Sequence, residues 1–211
     1  TESEILSVVY RQYLDIGQKA DLPIMLMTPT RRVNSENLAK SKYRDRNLLA
    51  DGIDCLSEIR QTYHEYAGKI FIGGLMGCRG NAYRSDGGMT VDDSIVFHRQ
   101  QVMQFPTDRT DFLFAGIMPE IDETVGMALA MAETGIPYII SFMMKRNGCL
   151  IDGTLLRDAI RKIDEAVEPK PIGYMANCIH PENLLAALQV NLKNGSRELK
   201  RFIGIQANAS A

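Results

Sequence analysis

The stretch Gly173-Tyr174-Met175-Ala176-Asn177-Cys178-Ile179-His180-Pro181 reads as a strand that ends on an amide and a thiol and hands over to a helix. Pro181 followed by Glu182 suits a helix first turn, because the missing proline N–H would have no intrahelical partner and the carboxylate faces the positive end of the dipole. Residues at the carboxyl ends of parallel strands line the functional face of α/β proteins. A soft thiol at such a junction is a candidate metal ligand, whereas a cysteine buried in mid-strand is usually a small hydrophobe.

Working outward, six β-compatible apolar runs recur, at 22–27, 69–75, 111–118, 137–144, 171–176 and 201–206. Helical spacing of three and four separates them, over 47–66, 91–105, 120–133, 154–166 and 182–192. Pro119 before Glu120, Asp122 and Glu123 repeats the start signal seen at Pro181. Strands alternating with helices imply right-handed crossovers and a parallel sheet, so the fold class is α/β. Open doubly wound sheets and closed barrels share this pattern, and periodicity does not choose between them. The chain opens on a helical stretch, 4–19, and stops just after a strand; a barrel would require one strand before Thr1 and one after Ala211, adjacent in the ring.

With 211 residues and 45% hydrophobic content, residues 1–211 are expected to form one domain with a sizeable core. Twenty-four basic against 26 acidic residues give a net charge of -2, so no basic field points to nucleic acid or an anionic membrane. The longest apolar runs fall far short of the roughly 20 residues that span a bilayer. The expectation is a cytoplasmic protein with reduced thiols acting on small molecules, with room for a homo-oligomer. Asn194-Gly-Ser196 and Asn208-Ala-Ser210 match the glycosylation acceptor pattern, but no secretory signal accompanies them.

Glycines 74, 77 and 80 do not form a dinucleotide fingerprint and read as a strand mouth where the backbone turns. Cys78 on that loop is a secondary ligand or a bystander, Cys55 falls among the apolar positions of a helix, and Cys149 sits in a turn, exposed. His64 and His98 read as polar or partly buried positions on amphipathic helices, while His180, two residues past Cys178, is a candidate contact to the substrate or to a metal ligand. Arg31 and Arg32 follow the first strand in a solvated turn that could hold an anion. No nucleophile elbow, phosphate loop or His-Glu-x-x-His element is present, which argues against hydrolases.

Taken together, Thr28-Pro-Thr-Arg-Arg-Val-Asn34, Phe97-His-Arg-Gln, Pro137-Tyr-Ile-Ile-Ser141-Phe142, Leu150-Ile-Asp152-Gly153-Thr154 and Gly173-Tyr-Met-Ala-Asn177-Cys178 occur in an order that resembles the homocysteine S-methyltransferases. The resemblance covers nearly the whole chain. It implies a (β/α)8 TIM barrel, with the first and eighth strands outside these residues. It also implies a zinc ion held by Cys178 and by two adjacent cysteines of a Gly-Gly-Cys-Cys element at the eighth strand. Such a zinc would bind the substrate thiol and deliver a thiolate at neutral pH to a methyl group on a sulfonium, quaternary ammonium or folate donor. Ser141 and Asn177 are implied as polar contacts in the substrate pocket.

Two features depart from the family pattern. No Gly-Gly-Cys-Cys occurs in the 211 residues. The family's fourth strand typically ends in Phe-Glu-Thr-Ile-Pro, whose glutamate contacts the substrate amino group, and here Ala115-Gly116-Ile117-Met118-Pro119 places a glycine there. The expected function is zinc-dependent methyl transfer to homocysteine or a related thiol; the alternative is an inactive relative with a binding or structural role.

Overall fold

A computed structural model describes residues 2–85, 88–192 and 197–209. The acceptor triplet at Asn194 lies outside them, as does Ser210 of the second triplet. Six strands, β1 (Ile24–Met27), β2 (Ile70–Gly77), β3 (Phe112–Met118), β4 (Tyr138–Met143), β5 (Gly173–Ile179) and β6 (Phe202–Ala207), pair in sequence order. All five pairings are parallel, which makes a six-stranded parallel half-barrel. The helices are α1 (Glu2–Ala20), α2 (Ser35–Ala39), α3 (Leu48–Gln61), α4 (Val91–Val102), α5 (Ile121–Ala132), α6 (Leu156–Ala166) and α7 (Pro181–Leu192). Among the described residues no helix is long and apolar enough to cross a membrane.

Period-two alternation divides the strands between two apolar layers. Leu113, Ala115, Tyr138, Ile140, Phe142, Tyr174 and Ala176 pack beneath the helices in the larger core. Phe112, Phe114, Ile139 and Met175 form a second cluster, joined by Met27 and Leu75, on the inner face of the sheet. By the same alternation Ser141, two residues beyond Ile139, and Asn177, two beyond Met175, belong to the inner face. Register pairs Ser141 with Met175 and Met143 with Asn177, so Ser141 lies about 7 Å deeper than Asn177 along the strands.

Helix starts explain the loops at the carboxyl end. Asn47 and Thr90 cap α3 and α4 by accepting the Ala50 N–H at 3.1 Å and the Asp93 N–H at 3.2 Å. The α5 start differs: Glu120 occupies its cap position without a side-chain capping bond. Asp152 replaces it from the β4–α6 loop, accepting the Ile121 N–H at 2.7 Å through one oxygen and the Thr154 N–H at 2.8 Å through the other. The Asp152-Gly153-Thr154 element is therefore a tie between two loops of the rim.

Two strand ends are bulged. The β3–β4 register shifts between Ala115 and Met118, and the β5–β6 register between Asn177 and Ile179. The extra residues, Ile117 and Cys178, have φ of +60° and +51°. Left-handed backbone costs roughly 1–2 kcal/mol in an L-residue, most in a β-branched one such as isoleucine, so the surrounding hydrogen bonds must hold both positions in place.

Two expectations need correction. Helix α3 stops at Gln61, and His64 lies in a 3₁₀ turn, His64–Lys69, with φ +45°, so it is exposed on a turn rather than on an amphipathic helix. Cys149 is half-buried, not exposed, because the 145–155 loop folds on itself through bridges from Met144 to Leu150 and from Cys149 to Leu155.

Candidate active-site rim

Strand β5 continues past Ala176 and carries Asn177 and Cys178 to the carboxyl-terminal rim. The bulge at Cys178 breaks the alternation that would turn its side chain under the helices. Its thiol is half-buried and meets the Tyr83 hydroxyl, a contact that raises the Tyr83 pKa, with burial adding to the effect and the Arg31 charge opposing it. Tyr83 comes from the loop between β2 and α4 and is otherwise exposed. The Cys178 carbonyl accepts from Asn208 Nδ2 at 3.0 Å, which ties the bulge to the end of β6.

Asn177 is buried and spans the inner face. Its Oδ1 accepts the Ile117 N–H of the β3 bulge at 2.9 Å, and its Nδ2 donates to Gln206 Oε1 on β6. One carboxamide thus fastens both bulges, and one of its two N–H bonds remains for a ligand. Ser141 is fully buried on the inner face, and its Oγ has no hydrogen-bond partner among the described residues. An orphaned buried hydroxyl costs about 1–3 kcal/mol, a cost a bound polar group would relieve.

Cys78 ends β2 on the same rim, but its chemistry differs. Burial, with Glu123 adding to it, pushes the thiol up to about 11, and Sγ donates weakly to the Gly80 carbonyl at 3.6 Å. It is therefore a neutral thiol at physiological pH. Its pKa lies above the ordinary value, so the reactive thiolate appears only as pH approaches 11. We expect iodoacetamide to leave Cys78 nearly unlabelled at pH 8 and to label it progressively above pH 10; rapid labelling at pH 8, located by peptide mass spectrometry, would contradict its placement.

Behind Cys78, Glu123 is buried and accepts the Arg79 N–H at 2.6 Å, with His98 Nε2 at 3.1 Å from the same oxygen. His98 is fully buried, and this pair braces the β2–α4 loop from beneath. Arg31 lies half-buried against the end of β2, where a side chain at Gly77 would run into it, while Arg32 is exposed. His180 Nδ1 accepts the Glu182 N–H at 3.3 Å and so serves the start of α7. Cys55 is half-buried against the main core, and burial raises its pKa.

The structure brings Asn177 and Cys178 together with Tyr83, and sets Ser141 deeper on the same inner face. Tyr83 carries no sequence signal, because it lies in an irregular loop and reaches Cys178 only through the fold. Gly116 is paired with Gly77, and a Cβ there would come within 2.9 Å of Leu75 Cδ1, so the strand end is closed by packing rather than left as a gap. Among the described residues no three His, Cys, Asp or Glu side chains converge as a metal site. The donor chemistry of Cys178 suits a thiophilic metal, but the described residues alone do not complete its ligand set.

The chain matches the homocysteine S-methyltransferase family over residues 1–211. It belongs to this family of methyltransferases. Its fold is similar to that of the homocysteine methyltransferase MmuM from Escherichia coli in its oxidized form, with a TM-score of 0.79 and 20% identity, covering 99% of this chain and 81% of that one. Against the metallated form of MmuM the TM-score is 0.71 at 21% identity, covering 88% of this chain and 75% of the other. No curated protein sequence matches the chain.

Proposed function

We propose that residues 1–211 belong to a single (β/α)8 barrel domain that transfers a methyl group to the thiol of homocysteine or a closely related thiol. The observation that carries this reading is the bulge that lifts Cys178 onto the strand-end rim beside the anchored carboxamide of Asn177. In the reaction the acceptor loses its proton to solvent, its sulfur forms the S–CH3 bond, and the donor's bond to that methyl breaks. The electron pair of the broken bond stays on the donor, which leaves a neutral thioether or tertiary amine if the donor is an onium. Zinc, when bound, would hold the acceptor sulfur as a thiolate at neutral pH. On this proposal Cys178 contributes one zinc ligand and the others come from outside the described residues. A structure of MmuM exists in a metallated form, which supports a metal in the family.

The chain's own residues do the positioning. Asn177 offers to the acceptor the N–H that has no partner among the described residues, and Ser141 offers a hydroxyl likewise unpartnered among them to a group that reaches down the inner face. Inner-face packing of Phe112, Phe114, Ile139 and Met175 closes the floor and keeps water out from below. The substrates are small molecules, and a net charge of -2 offers no basic field that would attract polyanions.

The test uses the full-length protein loaded with zinc and given homocysteine with, in turn, a methylsulfonium, a trimethylammonium and a methylated folate. Mass spectrometry should detect methionine with at least one donor. Absence of methionine with all three, in a folded, metal-loaded sample, would overturn the proposal.

A further inference from the structure

A cavity of about 330 Å³ lies on the rim between the ends of β2 and β3, lined by Cys78, Arg79, Arg84, Met89, Glu120 and Glu123 among others. Its buried charges are both carboxylates: Glu120 is 8% exposed and Glu123 4%. The guanidinium groups sit at its open edge; the Arg79 side chain is 48% exposed and paired with Glu36 at 2.6 Å, and Arg84 is exposed. Glu123 is already satisfied by His98 and the Arg79 N–H. Glu120 is not. Its carboxylate accepts from the Ser85 hydroxyl at 2.5 Å and makes no ion pair among the described residues.

Its orientation is specific. Glu120 stands at the head of α5, where a carboxylate would ordinarily turn back to cap the helix, but Asp152 holds the Ile121 N–H instead. Glu120 is thereby free to point across the rim to the β2–α4 loop, where Gly88 has no side chain to collide with Oε2. A nearly buried carboxylate whose one hydrogen-bond partner among the described residues is a hydroxyl bears a desolvation cost that a cation within hydrogen-bond reach would offset.

We infer that this cavity is a receptor for a small organic cation and that Glu120 is its specificity-determining carboxylate. The identity of that cation rests on the methyl-transfer reading: it is the ammonium of the amino-acid acceptor or the onium centre of the methyl donor. Both present a positive charge next to alkyl groups, which Glu120 and Met89 together would accommodate.

Calorimetric binding to the full-length protein tests this without turnover. The probes are homocysteine, 4-sulfanylbutanoate (the same thiol acid without the amino group) and a methylsulfonium amino acid whose amine is acetylated. The Glu120→Gln variant keeps the shape and the Ser85 contact while removing the charge. It should weaken one cationic probe about 10-fold or more and leave 4-sulfanylbutanoate within about twofold. Loss confined to homocysteine assigns the cavity to the acceptor, and loss confined to the sulfonium assigns it to the donor. Unchanged affinity for both cations would overturn the inference, as would no cation binding to the wild type. If Glu120→Gln fails to fold by circular dichroism, Ser85→Ala decides instead: the carboxylate loses its orienting hydroxyl, and about threefold weaker cation binding is required. A wild type that binds cations but transfers no methyl would refute the methyl-transfer reading and leave this inference standing.

Discussion

Replacing Cys178 with serine in the full-length protein is expected to abolish zinc retention and to lower methyl transfer by more than about 100-fold, while the fold survives. Changes to groups that merely orient a metal ligand cost about 10- to 100-fold, and loss of the ligand itself should exceed that. Serine is close in size, the position is half-buried, and the backbone bonds around the bulge do not involve the sulfur. Circular dichroism and the melting temperature should therefore stay near wild type while elemental analysis shows the metal gone. Full zinc occupancy in the variant would remove Cys178 from the site and with it the proposed chemistry.

The Asn177→Ala variant is expected to fail differently, by loosening the rim. Truncation of the buried Asn177 strips the acceptor from the Ile117 N–H and the donor from Gln206 Oε1, both part-buried. Leaving two part-buried groups unpaired costs roughly 2–4 kcal/mol, which for a chain of this size lowers the melting temperature by about 4–16 °C. The two bulges also lose their common fastening, so residues that favour extended backbone, above all Ile117, should relax from positive φ. Activity should fall along with stability, and lowering the temperature should not restore it. A melting temperature within about 2 °C of wild type would mean that water or a neighbouring group takes the carboxamide's place.

These two residues also mark the limit of what the sequence discloses. Strand and helix positions were readable because apolar spacing directly reflects which face is buried, and each expected run falls on a strand. The α/β order and the Asn177-Cys178 junction were likewise legible. The bulges were not, since left-handed backbone at an isoleucine and a cysteine runs against local preference and is imposed by partners 30 to 60 residues away. For the same reason the strand containing Cys178 extends three residues beyond its apolar run. The direction of Glu120 depended on Asp152, which reaches the Ile121 N–H from 31 residues away and relieves Glu120 of the capping role, and spacing contains no trace of that exchange.

Family membership does not by itself place a metal against Cys178, and X-ray absorption at the zinc edge of the full-length protein tests that placement most directly. The account predicts a first shell containing sulfur at about 2.3 Å that gains one further sulfur when homocysteine is added, with the resting sulfur signal reduced in Cys178→Ser. A shell of nitrogen and oxygen alone, or a sulfur count unchanged by the thiol, would contradict it.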